Sequence, residues 1–245
     1  MLRSRGYPDL LIASIKRLKM GYVAASVANA LIIVWLALCG FAPSEYYISE
    51  YPNTLFILIL AFAIGLALAL YQVSSFTKLA NLNGRYRHGG AGIVLLVITW
   101  ALATASAVTN YLATVFPEYI FYLYSVQSII NPTLVKVSLT AALSSIITLF
   151  QATPLLTITL YRLGSDLKRP IIKAGAVTLM IASSGLLLVM LLVIIAVMAP
   201  RPMTSLALPY IIFIVSSPIL GLAGTVLLAI GLSHSLGQLI KREVW

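Results

Sequence analysis

The chain has 245 residues, 61% hydrophobic and only 9% charged, with a net charge of +10 and a mean hydropathy of +1.03. Soluble domains carry about 25% charged residues and about 45–50% apolar ones, and disorder requires low hydrophobicity with high charge, so both classes are excluded. A single cysteine, Cys39, excludes an intramolecular disulfide framework and a cysteine-rich metal site. The positive charge does not point to nucleic acid, because no stretch outside the apolar runs is long enough to form a water-exposed basic domain.

A membrane helix needs about 20 mostly apolar residues to cross roughly 30 Å of hydrocarbon. Six stretches meet that length: 20–42, 53–75, 91–116, 132–161, 174–199 and 206–233. Backbone groups in lipid must be satisfied within the segment. Barrel strands would alternate polar and apolar residues, whereas Gly185 to Met198 carries no polar side chain at all. The predicted fold is therefore an all-α integral membrane bundle of six spans forming one unit over 1–245.

Before the first span lie Arg3, Arg5, Lys16, Arg17 and Lys19, and Lys78, Arg85 and Arg87 lie between the second and third. Arg162, Lys168, Arg169 and Lys173 separate the fourth and fifth, and Lys241 and Arg242 follow the sixth. These segments hold fourteen of the sixteen basic residues, leaving Lys136 and Arg201 on the other side. Lys and Arg favour cytoplasmic loops, so both termini are expected inside the cell, and six spans satisfy that parity. Basic residues recur up to Lys19 before the first long apolar run, so that run is expected to be a retained anchor rather than a cleaved signal. The stretch from Pro8 to Lys19 places Leu11, Ile15 and Leu18 on one face. It either lies on the inner leaflet or continues the first helix.

On the outer side, Tyr119, Phe121, Tyr122 and Tyr124 join Tyr46, Tyr47, Tyr51, Tyr111 and Tyr210 as an aromatic belt. Residues 118–130 are expected to form a short interfacial helix there. Lys136 sits near an outer span end, where snorkelling to the headgroups explains it.

Two even-numbered spans end alike, Leu70-Tyr71-Gln72-Val73-Ser74-Ser75-Phe76-Thr77-Lys78 and Leu160-Tyr161-Arg162-Leu163-Gly164-Ser165-Asp166-Leu167-Lys168. The spans that follow also begin alike, Ala91-Gly92-Ile93-Val94 and Ala174-Gly175-Ala176-Val177, with a weaker echo at Lys19-Met20-Gly21-Tyr22-Val23. This predicts three parallel helical hairpins related by an axis along the membrane normal.

Spans in lipid associate through close packing of small residues. Ala61, Gly65 and Ala69 in the second span, and Ser217, Gly221, Thr225 and Ala229 in the sixth, recur at i+4 and are the predicted packing ridges. Pro154 and Pro218 should kink the fourth and sixth spans, since each removes an i→i−4 bond. Asn29, Asn110, Gln151 and Lys136 are the main polar positions inside the spans.

No catalytic or metal constellation emerges. The two histidines, His88 and His234, have no acidic or thiol partner, and all six acids lie outside the spans. A proton- or sodium-coupled transporter usually buries an ionisable group. The expectation is no enzyme, no cofactor and no metal.

The segment Lys16-Arg17-Leu18-Lys19-Met20-Gly21, the start Gly89-Gly90-Ala91-Gly92-Ile93-Val94 and the stretch through Gly221, Gly224, Gly231 and Ser233 resemble an uncharacterised archaeal family of multi-span membrane proteins. That resemblance implies an archaeal cell membrane and no mechanism. Two functions fit the sequence. One is a non-catalytic structural or accessory subunit packing against another membrane protein or itself, with anionic headgroups as partners on the inner side. The alternative is an uncoupled carrier or channel for a small neutral or lipidic solute.

Overall fold

The structure, a computed structural model, describes residues 7–41, 46–124, 132–198 and 207–243, and the side chains within 9–38, 55–113, 133–188 and 212–240. The described residues are almost wholly helical: α1 (Tyr7–Phe41), α2 (Tyr46–Leu82), a single 3-10 turn (Gly84–Tyr86), α3 (Arg87–Tyr124), α4 (Pro132–Asp166), α5 (Pro170–Met198) and α6 (Ala207–Glu243). All six helices are long and apolar enough to cross a membrane. The protein is thus a multi-pass helical bundle, and no strand occurs among the described residues.

The helices outrun the hydropathy at one end. α1 begins well before Met20, α2 continues past Ser75 and α6 past Ser233. Hydropathy falls where polar residues meet water, but main-chain bonding continues as long as the helix has a face to bury. Ser14, Ile15 and Leu18 are fully buried, so the stretch from Pro8 to Lys19 continues α1 into the bundle instead of lying on the leaflet. Pro154 and Pro218 lie inside unbroken α4 and α6. α3 runs without interruption through Pro117 to Tyr124, so the first residues of the expected 118–130 segment belong to it, and 125–130 lie outside the described residues.

Each helix packs on the next in sequence, and α6 packs on α1, closing a ring. Neighbours are antiparallel. Thr99 meets Thr148 and Ser106 meets Ser138 across α3–α4, while Asn29 lies by Gly221 and Ser26 by Thr225 across α1–α6. The start of α1 and the end of α6 therefore share one side with the two short turns after α2 and α4; this is called the terminal side below.

Close approach is secured by small residues. A Cβ at Gly65 would lie 2.6–2.8 Å from the Trp100 indole, and one at Gly175 would meet the Gly224 carbonyl at 3.0 Å. Most of the large buried side chains, among them Ile15, Phe76, Ile93, Leu160, Ile172 and Leu228, form one cluster drawn from all six helices. Those residues lie on the terminal half. Farther along, the buried positions are mostly small, such as Ala28, Ala61, Ala107, Ser145 and Ser217.

Burial recurs in the three hairpins. With Gly21, Gly92 and Gly175 in register, the buried sets Leu18/Gly89/Ile172, Tyr22/Ile93/Ala176 and Ala28/Thr99/Ala182 coincide. On the even helices Gln72, Leu156 and Leu228 oppose those glycines. In that register Ala61/Ser145/Ser217, Ala69/Thr153/Thr225 and Phe76/Leu160/Leu232 are buried together. This packing aligns Gln72 with Leu156, whereas the sequence echo aligns it with Arg162, six residues later.

Candidate functional site

The polar chemistry gathers on the terminal side. α2 ends at Leu82, and Asn83 caps the short turn after it, its side-chain oxygen accepting from the Arg85 N–H at 3.0 Å. The turn delivers Arg85 and Tyr86 to the last turn of α4. There the Tyr86 hydroxyl donates to Asp166 Oδ2 at 2.5 Å, Arg85 Nη1 donates to Oδ1 at 3.2 Å, and Arg162 Nη1 donates to the Arg85 carbonyl at 2.7 Å. Asp166 is thus held by a cation and a phenol whose ring is buried. Two-point anchoring of one carboxylate fixes the turn on α4.

α4 itself ends in a tight reversal. Arg169 N–H donates to the Gly164 carbonyl at 2.7 Å and Lys168 N–H to the Ser165 carbonyl at 3.1 Å. Lys168 occupies the left-handed region with φ 54°, the conformation that helix ends usually give to glycine. Pro170 then opens α5, its fixed φ suiting a first helical position. A close helix-to-helix fit at Gly164 brings Ile172 and Lys173 over α4, and the Lys173 ammonium stands 5.1 Å from the centre of the Tyr161 ring.

The result is a basic plateau. Arg87, His88 and Lys168 are exposed on it, and Asp166 neutralises only one of the cations around it. Farther round the ring, Arg17 donates to the Ser74 hydroxyl at 2.6 Å, tying α1 to α2.

The buried polar residues within the spans are serines, threonines and Gln72. No Asp, Glu, Lys, Arg or His is buried among the described residues. Most buried hydroxyls donate to a carbonyl one turn back on their own helix, as Thr153 does to Leu149 and Ser217 to Phe213. A few cross between helices: Ser26 to Thr225 at 3.0 Å, Thr99 to Thr148 at 2.9 Å, and Thr157 to the Ala176 carbonyl at 3.3 Å.

The residues singled out by sequence fall as follows. Ala61, Gly65 and Ala69 are buried on α2, with Gly65 under Trp100 of α3. Ser217, Gly221 and Thr225 are buried on α6, facing Gly185 of α5 and Asn29 and Ser26 of α1; Ala229 is half-buried beside them. Asn29 spends its amide N–H on the Ala25 carbonyl at 3.1 Å. Asn110 and Pro154 are half-buried, while Gln151 and Lys136 are exposed. The Pro218 ring is half-buried next to Ser217.

His88 and His234 are both exposed, on α3 and α6, which are not neighbours in the ring. No group of three or more metal-ligating side chains occurs among the described residues. Of the aromatic belt, only Tyr111 has a described side chain; Cys39 and Arg201 also lie beyond the described side chains.

Sequence reasoning noted Asp166 only as one letter of a repeat. Its partners come from a different loop, and no spacing within one segment announces an ion pair between positions eighty-one residues apart.

Comparison with protein-family models, with curated proteins and with solved structures finds no match for this chain.

Proposed function

We propose that this protein is a non-catalytic accessory subunit of the cell membrane, with both ends of the chain in the cytoplasm, that engages its partner through the basic plateau rather than span to span. The archaeal setting suggested by the sequence resemblance belongs to the same proposal, as does descent of the three hairpins from one unit.

The carrying observation is the fixing of the α2–α3 turn by Asp166, which leaves Arg87, His88 and Lys168 outward on a rigid base. A charged surface held in one geometry loses little entropy on docking. The small-residue ridges support the same reading: Ala61, Ala69, Ser217 and Thr225 are consumed by seams inside the monomer. The outward face carries large aliphatic side chains such as Leu60, Leu139, Ile181 and Ile219, which suit lipid tails. The partner is an acidic protein surface, with anionic headgroups surrounding the contact.

Most buried hydroxyls, Ser75 excepted, weigh against the carrier reading. Thr153, Thr159, Ser217 and Thr225 each donate within their own helix, so they do not present free donors to a passing solute.

Gentle detergent extraction followed by mass analysis tests the proposal. A stoichiometric partner is expected at low salt, released as ionic strength rises and lost in the Arg87→Glu/Lys168→Glu variant. A lone monomer at every salt concentration, or a partner indifferent to the charge reversal, would overturn it.

A further inference from the structure

The three-hairpin register exposes one hairpin that differs chemically from the others. Opposite the seam glycine, the second and third hairpins carry Leu156 and Leu228, whereas the first carries Gln72. Its side chain is folded directly over Gly21, where any Cβ would collide with the amide. Three residues on, the aligned positions are Ser75, Thr159 and Gly231. Next to the glycine, Tyr22 stands where the others have Ile93 and Ala176. The α1–α2 seam is thus polar at positions where its two counterparts are apolar or self-satisfied.

One of those polar groups, Ser75, lacks a protein partner. Ser75 is fully buried and its hydroxyl makes no hydrogen bond. Its counterpart Thr159 is equally buried but donates to the Leu155 carbonyl at 3.0 Å. Gln72 is 4% exposed, its amide packed over Gly21. Residues three apart on a helix are surface neighbours, so Gln72 and Ser75 lie one turn apart on the same face of α2, both buried. Burying such groups unpaired is costly, and native interiors relieve the cost with water making about three hydrogen bonds. Gln72 supplies two donors and an acceptor, and Ser75 one donor and an acceptor.

We propose that the α1–α2 seam is an internal water-binding site, with water held between the Gln72 amide and the Ser75 hydroxyl and admitted from the terminal side past Arg17 and Ser74. On that side Arg17 donates to Ser74, the chain neighbour of Ser75. The other two hairpins hold no equivalent water. The site is independent of the accessory-subunit reading.

Radiolytic hydroxyl-radical footprinting of the full chain in lipid nanodiscs tests this, because radicals generated from bound water oxidise adjacent side chains even where bulk solvent is absent. Leu79 and Leu163 form an internal control: the same residue type, at aligned positions, 0% and 1% exposed, one turn beyond Ser75 and Thr159. Leu79 is expected to be oxidised markedly faster than Leu163, and the excess is expected to vanish in Gln72→Leu/Ser75→Ala. Equal oxidation of the two leucines in the unmodified protein would overturn the proposal without any variant having to fold. An excess at Leu79 that persists in a folded double variant would overturn it as well.

Discussion

Ser106 and Ser138 hold α3 against α4 by a reciprocal exchange: the Ser106 hydroxyl donates to the Ser138 carbonyl at 2.9 Å, and the Ser138 hydroxyl donates to the Ser106 carbonyl at 3.0 Å. Such bonds between membrane helices average about 0.6 kcal/mol and reach about 1.7 kcal/mol. We predict that Ser106→Ala and Ser138→Ala each destabilise the bundle within that range. Ser184→Ala, whose hydroxyl serves only its own helix, should leave stability nearly unchanged. Reversible unfolding in mixed micelles measures all three. Equal behaviour of Ser184→Ala and Ser106→Ala would contradict the role of the exchange.

The glycine seams predict a sharp contrast between positions. A Cβ at Gly175 would meet the Gly224 carbonyl oxygen and the Leu228 backbone nitrogen, both at 3.0 Å, and main chain cannot swing aside as a side chain can. Gly175→Val should cost about 1–3 kcal/mol, the range for overpacking. At Gly237 a Cβ would have no neighbour within 4 Å, so Gly237→Ala should be neutral or gain up to about 1 kcal/mol from helix propensity. Thermal aggregation midpoints of the two purified variants distinguish them.

Lys168 sits in the left-handed region with φ 54°, where a non-glycine residue costs roughly 1–2 kcal/mol. Lys168→Gly should therefore raise the unfolding free energy by about 1 kcal/mol while removing one charge from the plateau. An unfolding titration that shows a loss instead would mean that the Lys168 side chain contributes more than its backbone costs.

Ring closure rests on α1 meeting α6. The Ser26 and Thr225 hydroxyls stand 3.0 Å apart. On a Cys39→Ser background, Ser26→Cys/Thr225→Cys should be bridged within one chain by a short bis-maleimide, each thiol adding across one maleimide double bond, seen as faster migration on a denaturing gel. Bridging that occurs only between chains would show that α6 packs on a neighbouring molecule.

Much of the architecture was legible because lipid leaves few choices. A long apolar run must be helical, and the number of runs follows from length alone. Helix ends were less legible. Hydropathy marks where Met20 or Ser75 meets the interface, but α1 and α2 run on because Ile15, Leu18 and Leu79 still have a core to enter. The glycines that start the odd spans were visible, and Gly21, Gly92 and Gly175 do oppose the even helices. The even-helix register was not, since Tyr71 and Tyr161 match as letters while both are exposed and neither is buried in a seam. Asp166 was hidden for another reason. An acid in a polar loop acquires meaning only when a distant turn delivers Arg85 and Tyr86 to it.

The sidedness of the plateau is tested most directly by thiol labelling in intact cells. On the Cys39→Ser background, Arg87→Cys and Lys168→Cys should react with a membrane-impermeant maleimide only after permeabilisation, while Lys136→Cys should react without it. Labelling of Arg87→Cys or Lys168→Cys from outside intact cells would place the plateau on the wrong side of the membrane for a cytoplasmic partner.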